Sequence, residues 1–312
     1  MSGDVRGRFA PSPSGRMHIG NAFSALLAWL SARSADGQFV LRLEDLDERT
    51  ANPGVAAQVL DDLAWFGLDW DGEPLRQSEH LGRYEEALAR LQRRAEVYEC
   101  FCSRADLHAA SAPHASDGGV LYAGTCRRLS EAQRAVLRQH RSPALRLHVP
   151  SATVGFSDAH CGRYEQDLAA ACGDFVVRRS DGVFAYQLVC VADDAASGVS
   201  EVVRGDDLLS STPRQIYLQQ LLGLPTPAYA HHPLLVDTQG RRLSKRDGDC
   251  DLGFVRSQLA GPEPLVGFLA WCAGLIGAYE PLRAEELVAA FSWGQVVHGP
   301  ISVYERAAEL GR

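Results

Sequence analysis

The sequence predicts an α/β protein built on a parallel sheet, because strand patterns alternate with helical patterns along its first hundred residues. A short apolar lead ending at Ala10 precedes a polar loop, and an apolar run of helical character follows from Ala22 to Ala32. The segment 39–44 alternates as a half-buried strand does, and helical patterns follow at roughly 55–66 and 78–94. Helical crossovers join the strands of parallel sheets, whose ligands lie at the carboxyl ends of the strands.

Beyond Tyr98 the pattern changes and the elements become shorter. We expect, in order, a strand at 143–150, irregular chain at 156–171, a hairpin at 175–189, a helix at 211–222 and a strand at 234–237. The hairpin is predicted from Asp181-Gly182, a dipeptide that favours tight turns. After this strand comes a glycine-flanked basic loop, and the remaining residues are predicted to be mainly helical.

Composition narrows the class of protein. The chain has 312 residues, and its hydrophobic content of 46% and charged content of 22% are ordinary for a soluble enzyme. A formal net charge of −8 argues against coating nucleic acid by bulk electrostatics, although arginine-rich stretches at 90–104 and 127–141 are either local basic patches or solvated helix faces. With neither a signal-peptide pattern nor an apolar run of membrane-spanning length, we expect a cytoplasmic protein that does not contact the membrane.

The segment from Arg8 to Asn21, RFAPSPSGRMHIGN, is the first candidate site. It predicts a strand, a tight polar loop and a helix N-terminus, the geometry in which backbone N–H groups and the helix dipole hold a phosphate. Gly15 and Gly20 would let a ligand approach the backbone. An ordinary strand–turn–helix without a ligand is the alternative.

Lys245 is the second candidate. It is the single lysine among 31 basic residues, and it lies in the loop RRLSKRDG at 241–248. A flexible ammonium differs from a planar guanidinium as a point donor to phosphate oxygens. A lone lysine retained among arginines in such a loop favours phosphate chemistry.

Three of the eight cysteines form a third candidate. Cys100, Cys102 and Cys126 can present three thiolates to one Zn²⁺ across a loop, with Tyr122, His108 or His114 as the fourth ligand. Three unconnected thiols are the alternative. The other five cysteines, at 161, 172, 190, 250 and 272, are interpreted as structural thiols.

The candidate segments together resemble a known family. PSPSGRMHIGN at 11–21 resembles the "HIGH" signature of class I aminoacyl-tRNA synthetases in its glutamyl/glutaminyl form, and RLSKR at 242–246 resembles their "KMSKS" signature. Order, separation and flanking residues agree with this family, and the similarity covers roughly residues 5–250. The resemblance implies a Rossmann-type catalytic domain that activates glutamate with ATP.

The resemblance also implies roles for individual residues. His18 and Lys245 are expected to be the catalytic donors to the phosphoryl oxygens, and His18, Gly20, Asn21 and Lys245 to bind ATP, with Mg²⁺ bound to the nucleotide. The residues expected to bind glutamate are Arg8, Phe9, Ala10, Pro11, Ser12, Glu44, Tyr186 and Arg204. Among them, Arg8 and Arg204 would grip the side-chain carboxylate, while Glu44 holds the α-amino group.

Two departures from the full-length glutamyl enzyme narrow the expectation. The segment after Lys245 is too short to supply that enzyme's anticodon-binding domain, and the cysteine pattern is similar to the zinc site of a truncated paralogue, with Cys100, Cys102, Tyr122 and Cys126 as ligands of one structural Zn²⁺. That paralogue transfers glutamate to the queuosine base in the anticodon loop of tRNA(Asp). A truncated glutamyl-tRNA synthetase charging a tRNA 3′ end and a catalytically idle tRNA-binding module are the alternatives.

The implied organisation has four parts in a chain expected to be a monomer. They are a first half of the catalytic domain at 1–97, an inserted zinc-bearing subdomain at 98–172, a second half with the lysine loop at 173–250, and a helical carboxy-terminal region at 251–312.

Overall fold

Two groups of parallel strands meet at the centre of this computed structural model, which describes residues 5–47, 52–103, 106, 121–243 and 251–310. The strands are β1 Arg6–Phe9, β2 Gln38–Leu43, β3 Leu75–Arg76, β4 Val97–Cys100, β5 Ala144–Leu147, β6 Thr153–Asp158, β7 Gly162–Asp167, β8 Phe175–Arg178, β9 Glu201–Gly205, β10 Ala228–His232, β11 Leu235–Val236 and β12 Ile301–Ser302. The α-helices are α1 Ile19–Ser34, α2 Pro53–Trp65, α3 Leu81–Arg94, α4 Glu131–Arg138, α5 Leu168–Ala171, α6 Tyr186–Ala196, α7 Thr212–Leu222, α8 Leu252–Gln258, α9 Glu263–Ala273, α10 Ala284–Leu287 and α11 Val303–Leu310.

The parallel sheet predicted from the sequence is present. β1 pairs with β2 and β2 with β3, all in parallel, while β10 pairs in parallel with β9 and β6. The backbone N–H of Ser200 donates to the carbonyl of Arg6 at 3.0 Å, so β9 begins beside β1. The chain therefore passes from β1 through α1 to β2 on one side, while β9 lies on the other. A crevice at such a reversal is where open α/β sheets bind their ligands.

Helix α1 is buried almost all round, which explains its continuous apolar run. Eleven of its 16 residues are buried, because it packs on β1, β2 and β9 and is also covered by α10. Its side chains form one core cluster with α9, while α3, α6 and α7 contribute to a second. Among the described residues, none of the helices combines the length and apolar character needed to cross a bilayer.

The hairpin predicted at 175–189 is only half correct. Gly182 makes the turn with a φ of 89°, and Arg178 bridges Phe184, but helix α6 begins at Tyr186. Burial of α6 on several sides, against α3 and α7, makes its sequence apolar without an obvious helical stripe, so it resembles a strand.

The irregular chain expected at 156–171 is also wrong. β6 and β7 form an antiparallel hairpin whose turn is closed by Gly162, with a φ of 77°. Along β6 the apolar Val154 and Phe156 alternate with small or polar residues, and this pattern was visible in the sequence. This hairpin adds the edge of the sheet next to β10.

A separate small antiparallel sheet, in the order β4–β5–β8, carries the cysteine cluster at its edge. Its core is formed by Tyr98, Cys100, Phe101, Tyr122 and Cys126.

Candidate active site

The carboxyl ends of β1 and β9 open onto a cleft of about 510 Å³, a volume typical of small-ligand sites. All the predicted glutamate-binding and ATP-binding residues that the structure describes line this one cleft: Arg8, Phe9, Ala10, Pro11, Ser12, His18, Gly20, Asn21, Glu44, Tyr186 and Arg204. The structure thus brings together residues as far apart as Arg8 and Arg204 in the chain.

His18 is the N-cap of α1. Its Nδ1 accepts a hydrogen bond from the backbone N–H of Gly20 at 3.1 Å, while its own backbone N–H donates to Oδ1 of Asn21 at 3.1 Å. Because Nδ1 is an acceptor, the proton of the neutral ring is on Nε2. The cap therefore orients the imidazole as an Nε2–H donor at a helix N-terminus, where negative charge is favoured.

Gly20 makes room for that imidazole. A Cβ at this position would lie 2.9 Å from both Cε1 and Nδ1 of His18. The glycine is thus required for the packing of the histidine ring itself, in addition to any approach of a ligand to the backbone.

Lys245 lies outside the described residues, as do His108, His114 and Cys250, but the chain on both sides of the lysine loop is at the cleft. Leu243 lines it, and Asp251 forms an isolated antiparallel bridge with His18. The N–H of Leu252 donates to the carbonyl of Met17 at 2.9 Å.

Two arginines and a glutamate surround the other end of the cleft. Arg8 and Arg204 are both buried, and Arg8 donates from Nη1 to the carbonyl of Val203 at 3.0 Å. Burial raises the pKa of Glu44, although the charges of Arg42 and Arg8 oppose this. The carboxyl group of Glu44 therefore titrates at higher pH than that of an ordinary glutamate.

Sequence reasoning missed a buried charge network behind these residues. Arg42 forms ion pairs with Asp194 and with Glu44, the latter at 3.3 Å, and Nε of Arg8 lies 3.6 Å from Asp194. Burial raises the pKa of Asp194, but the charges of Arg42 and Arg8 outweigh it, so the pKa is lowered overall. The sequence signal for this network was Arg42, a charged residue within the mainly apolar strand β2.

Of these charged groups, Arg8, Arg204 and Glu44 line the cleft itself. This end of the cleft therefore offers both cationic and anionic groups, which suits a ligand that carries charges of both signs.

Cys190, interpreted from the sequence as a structural thiol, lies next to Glu44 of the cleft. Its Sγ lies 3.5 Å from Oε1 of Glu44, and burial raises the pKa of Cys190 well above its usual value. The thiol therefore stays protonated and donates to the carboxylate. It lies one helical turn after Tyr186, which starts α6 at the cleft rather than standing in a hairpin.

The three predicted cysteine ligands form a cluster. The sulfur atoms of Cys100, Cys102 and Cys126 lie within 4.8 Å of one another, and those of Cys102 and Cys126 are 3.5 Å apart. Two thiolates on a tetrahedral zinc ion, with bonds of about 2.3 Å, lie about 3.8 Å apart. The donor set and the spacing fit a metal such as zinc.

Tyr122 lies beside the cluster. Its Oη is 3.7 Å from Sγ of Cys102 and accepts a hydrogen bond from the backbone N–H of Cys126 at 2.8 Å. Burial raises the pKa of the Tyr122 hydroxyl, so ligation to a metal would require displacement of its proton. The guanidinium of Arg146 lies 4.1 Å from the centre of the tyrosine ring and contributes positive charge there.

Comparison with known proteins agrees with this site. The model of the family described as "tRNA synthetases class I (E and Q), catalytic domain" matches residues 4–305. The "Glutamyl-Q tRNA(Asp) synthetase" of Symbiobacterium thermophilum is 47% identical over 308 residues, which are 95% of each chain. The protein of the same name from Nocardia farcinica is 47% identical over 94% of this chain and 91% of its own.

A solved structure extends the comparison to the fold. The glutamate-tRNA synthetase of Elizabethkingia anophelis superposes with a TM-score of 0.82 at 25% identity, covering 97% of this chain and 69% of its own. The chain therefore belongs to the class I glutamyl/glutaminyl tRNA synthetase family, in the group of the glutamyl-Q tRNA(Asp) synthetases.

Proposed function

We propose that this enzyme activates L-glutamate with ATP and transfers the glutamyl group to the queuosine base in the anticodon of tRNA(Asp). The observation that carries the proposal is the single cleft that joins the His18 helix terminus to a partly buried glutamate, Glu44, and two buried arginines, Arg8 and Arg204. The relatives named above support the choice of acceptor.

In the first step, the α-carboxylate of glutamate attacks the α-phosphorus of ATP, which gives glutamyl adenylate and pyrophosphate. Charge develops on the phosphoryl oxygens, and placed donors stabilise it. Nε2–H of His18 is one such donor, held by the N-cap geometry. Lys245 supplies the second from its loop, and Gly20 and Asn21 contribute the helix terminus to the ATP site. Mg²⁺ accompanies the nucleotide phosphates.

The glutamate end of the cleft selects the amino acid. Arg8 and Arg204 bind the side-chain carboxylate, for which guanidinium groups offer paired donors. Glu44 holds the α-ammonium group, Tyr186 forms a polar wall, and the Phe9–Ser12 segment lines the same end.

One structural Zn²⁺ per chain occupies the cluster of Cys100, Cys102 and Cys126, with Tyr122 as the fourth ligand. Such a closed site leaves no position for a substrate, and zinc there would stabilise the inserted subdomain. Zinc bound with wild-type affinity by Tyr122→Phe would remove the tyrosine from the ligand set.

The four-part division of the chain stays part of this proposal, with the zinc-bearing insertion at 98–172 and the helical region at 251–312. A monomer is the proposed working unit.

The position of the label on tRNA tests the choice of acceptor. Enzyme, ATP and labelled glutamate are incubated with total tRNA, and the product is cut by a guanosine-specific ribonuclease. The proposal predicts label in the anticodon fragment of tRNA(Asp). Label on the 3′-terminal fragment of tRNA(Glu) would instead support a truncated glutamyl-tRNA synthetase. No glutamate-dependent pyrophosphate exchange would indicate an idle tRNA-binding module.

A further inference from the structure

His231 lies between a carboxylate and an arginine of the cleft. Its Nδ1 is 2.6 Å from Oδ2 of Asp158, and Nε of Arg204 donates to its Nε2 at 3.1 Å. The imidazole is completely buried, and Asp158 and Arg204 are nearly so. Hydrogen bonds in such a setting are costly to leave unmade.

The two neighbours determine the protonation state of this ring. A carboxylate only accepts, so Nδ1 carries a proton, whereas Nε of Arg204 always carries one, so Nε2 is bare. The hydroxyl of Thr212, also 3.1 Å from Nε2, accepts from Nη2 of Arg204 at 2.7 Å. Burial lowers the pKa of His231, and the charge of Arg204 acts in the same direction against the hydrogen bond to Asp158. The ring is thus neutral, in the Nδ1–H form.

Asp158 is held independently of the histidine ring. Its Oδ1 accepts from three backbone N–H groups, those of His160, Cys161 and His231, at 3.0, 2.8 and 3.1 Å. The turn of the β6–β7 hairpin therefore holds this carboxylate next to β10. The hairpin lies outside the cleft, yet only the ring of His231 separates its carboxylate, Asp158, from Arg204 in the cleft.

We infer that Asp158 and His231 are positioning residues for Arg204. Asp158 selects the imidazole tautomer whose bare Nε2 accepts from Nε of Arg204, and this bond orients the guanidinium toward the glutamate carboxylate. The inference rests on the proposed function, because it assigns glutamate to Arg204.

Replacement of Asp158 by asparagine tests the relay. In Asp158→Asn, the amide oxygen can keep the backbone hydrogen bonds of Oδ1, while the amide NH₂ takes the place of Oδ2 and donates to Nδ1. The histidine then carries its proton on Nε2, so two N–H groups face each other there. The hydrogen bond from Nε of Arg204 is lost. We expect the KM for glutamate in tRNA-free pyrophosphate exchange to rise by about tenfold or more, with the KM for ATP unchanged.

Asp174→Asn is the matched control. Asp174 is buried and pairs with Nδ1 of the half-buried His148, at 2.9 Å, and it accepts from the backbone N–H of Val149, but it lies outside the cleft. This variant should keep the wild-type KM for glutamate. An unchanged glutamate KM in a folded Asp158→Asn, or an equal rise in the ATP KM, would overturn the inference.

Nitrogen-15 spectra of histidine-labelled wild-type protein test the tautomer without any variant of Asp158. The His231 signal, assigned by its loss in His231→Gln, should show a protonated Nδ1 and a bare Nε2. A protonated Nε2 would overturn the inference even if Asp158→Asn does not fold. This measurement needs no glutamate, so it separates failure of the relay from failure of the proposed function, which would appear as wild-type protein without glutamate-dependent exchange.

Discussion

At the scale of single residues, the glutamate end of the cleft depends on charges that are shared rather than paired one to one. Arg42 contacts both Asp194 and Glu44, and Asp194 also faces Arg8 at 3.6 Å. Removing one member leaves another buried charge uncompensated, which destabilises the fold more than replacing the whole network with apolar residues would. Substitutions of Arg42 or Asp194 are therefore expected to impair folding together with glutamate binding.

Arg204→Ala should abolish glutamate activation and leave ATP binding near normal, because Arg204 lies at the glutamate end of the cleft. Pyrophosphate exchange and equilibrium ATP binding measure the two effects. Arg93→Ala, which removes an exposed arginine from α3, is the control and should keep full exchange. Retained glutamate activation by Arg204→Ala would remove this residue from the pocket.

Glu44 should give the reaction an acid limit at higher pH than an ordinary glutamate. Burial raises the pKa of Glu44, so the carboxylate proposed to hold the ammonium group is lost as the pH falls through that raised pKa. The value of kcat/KM for glutamate, which reports groups of the free enzyme, should fall as the pH is lowered through this raised pKa. Glu44→Gln should have a low kcat/KM without this acid limb. An identical acid limb in both proteins would contradict the assignment.

At the scale of elements, the first turn of α1 has two proposed tasks, since Nδ1 of His18 caps the helix while its Nε2–H is the proposed donor to phosphate. His18→Asn should separate them. Asparagine is a strong N-cap, so thermal stability should stay near wild type, whereas His18→Ala should lose about 1 kcal/mol. Both variants should lose pyrophosphate exchange by roughly a hundredfold, because neither keeps the donor to phosphate. Wild-type exchange by His18→Asn would contradict a phosphate role.

The small sheet formed by β4, β5 and β8 should depend on a metal. Metal analysis of purified protein should find about one zinc per chain, and Cys100→Ser should lose it, because a structural site needs its full thiolate set. Cys161→Ser is the control, since Cys161 is an exposed thiol outside the cluster. Full zinc content in Cys100→Ser would contradict the site.

At the scale of the whole molecule, the sequence was most informative where short motifs carry the chemistry. The loop-to-helix segment around His18 predicted a strand, a polar loop and a helix N-terminus, and all three are present. The resemblance then assigned Glu44 and Arg204 to the same ligand, and the structure places both at one cleft. The cysteine spacing likewise predicted a cluster that the structure contains.

Long-range partners were not predictable in this way. Arg42 and Asp194 are 152 residues apart, and Asp158 and His231 are 73 apart, with no motif that joins them. Their pairing depends on which strands and helices become neighbours. The hairpin predicted at 175–189 also conceals this pairing. Asp194 reaches Arg42 from helix α6, which begins within the predicted hairpin.

The dependence of glutamate transfer on queuosine tests the central claim most directly. Labelled glutamate and ATP are supplied with tRNA(Asp) that carries queuosine, and in parallel with tRNA(Asp) that lacks it. The proposed function predicts labelling of the first tRNA and none of the second. Equal labelling of both, or labelling of tRNA(Glu) at its 3′ end, would contradict it.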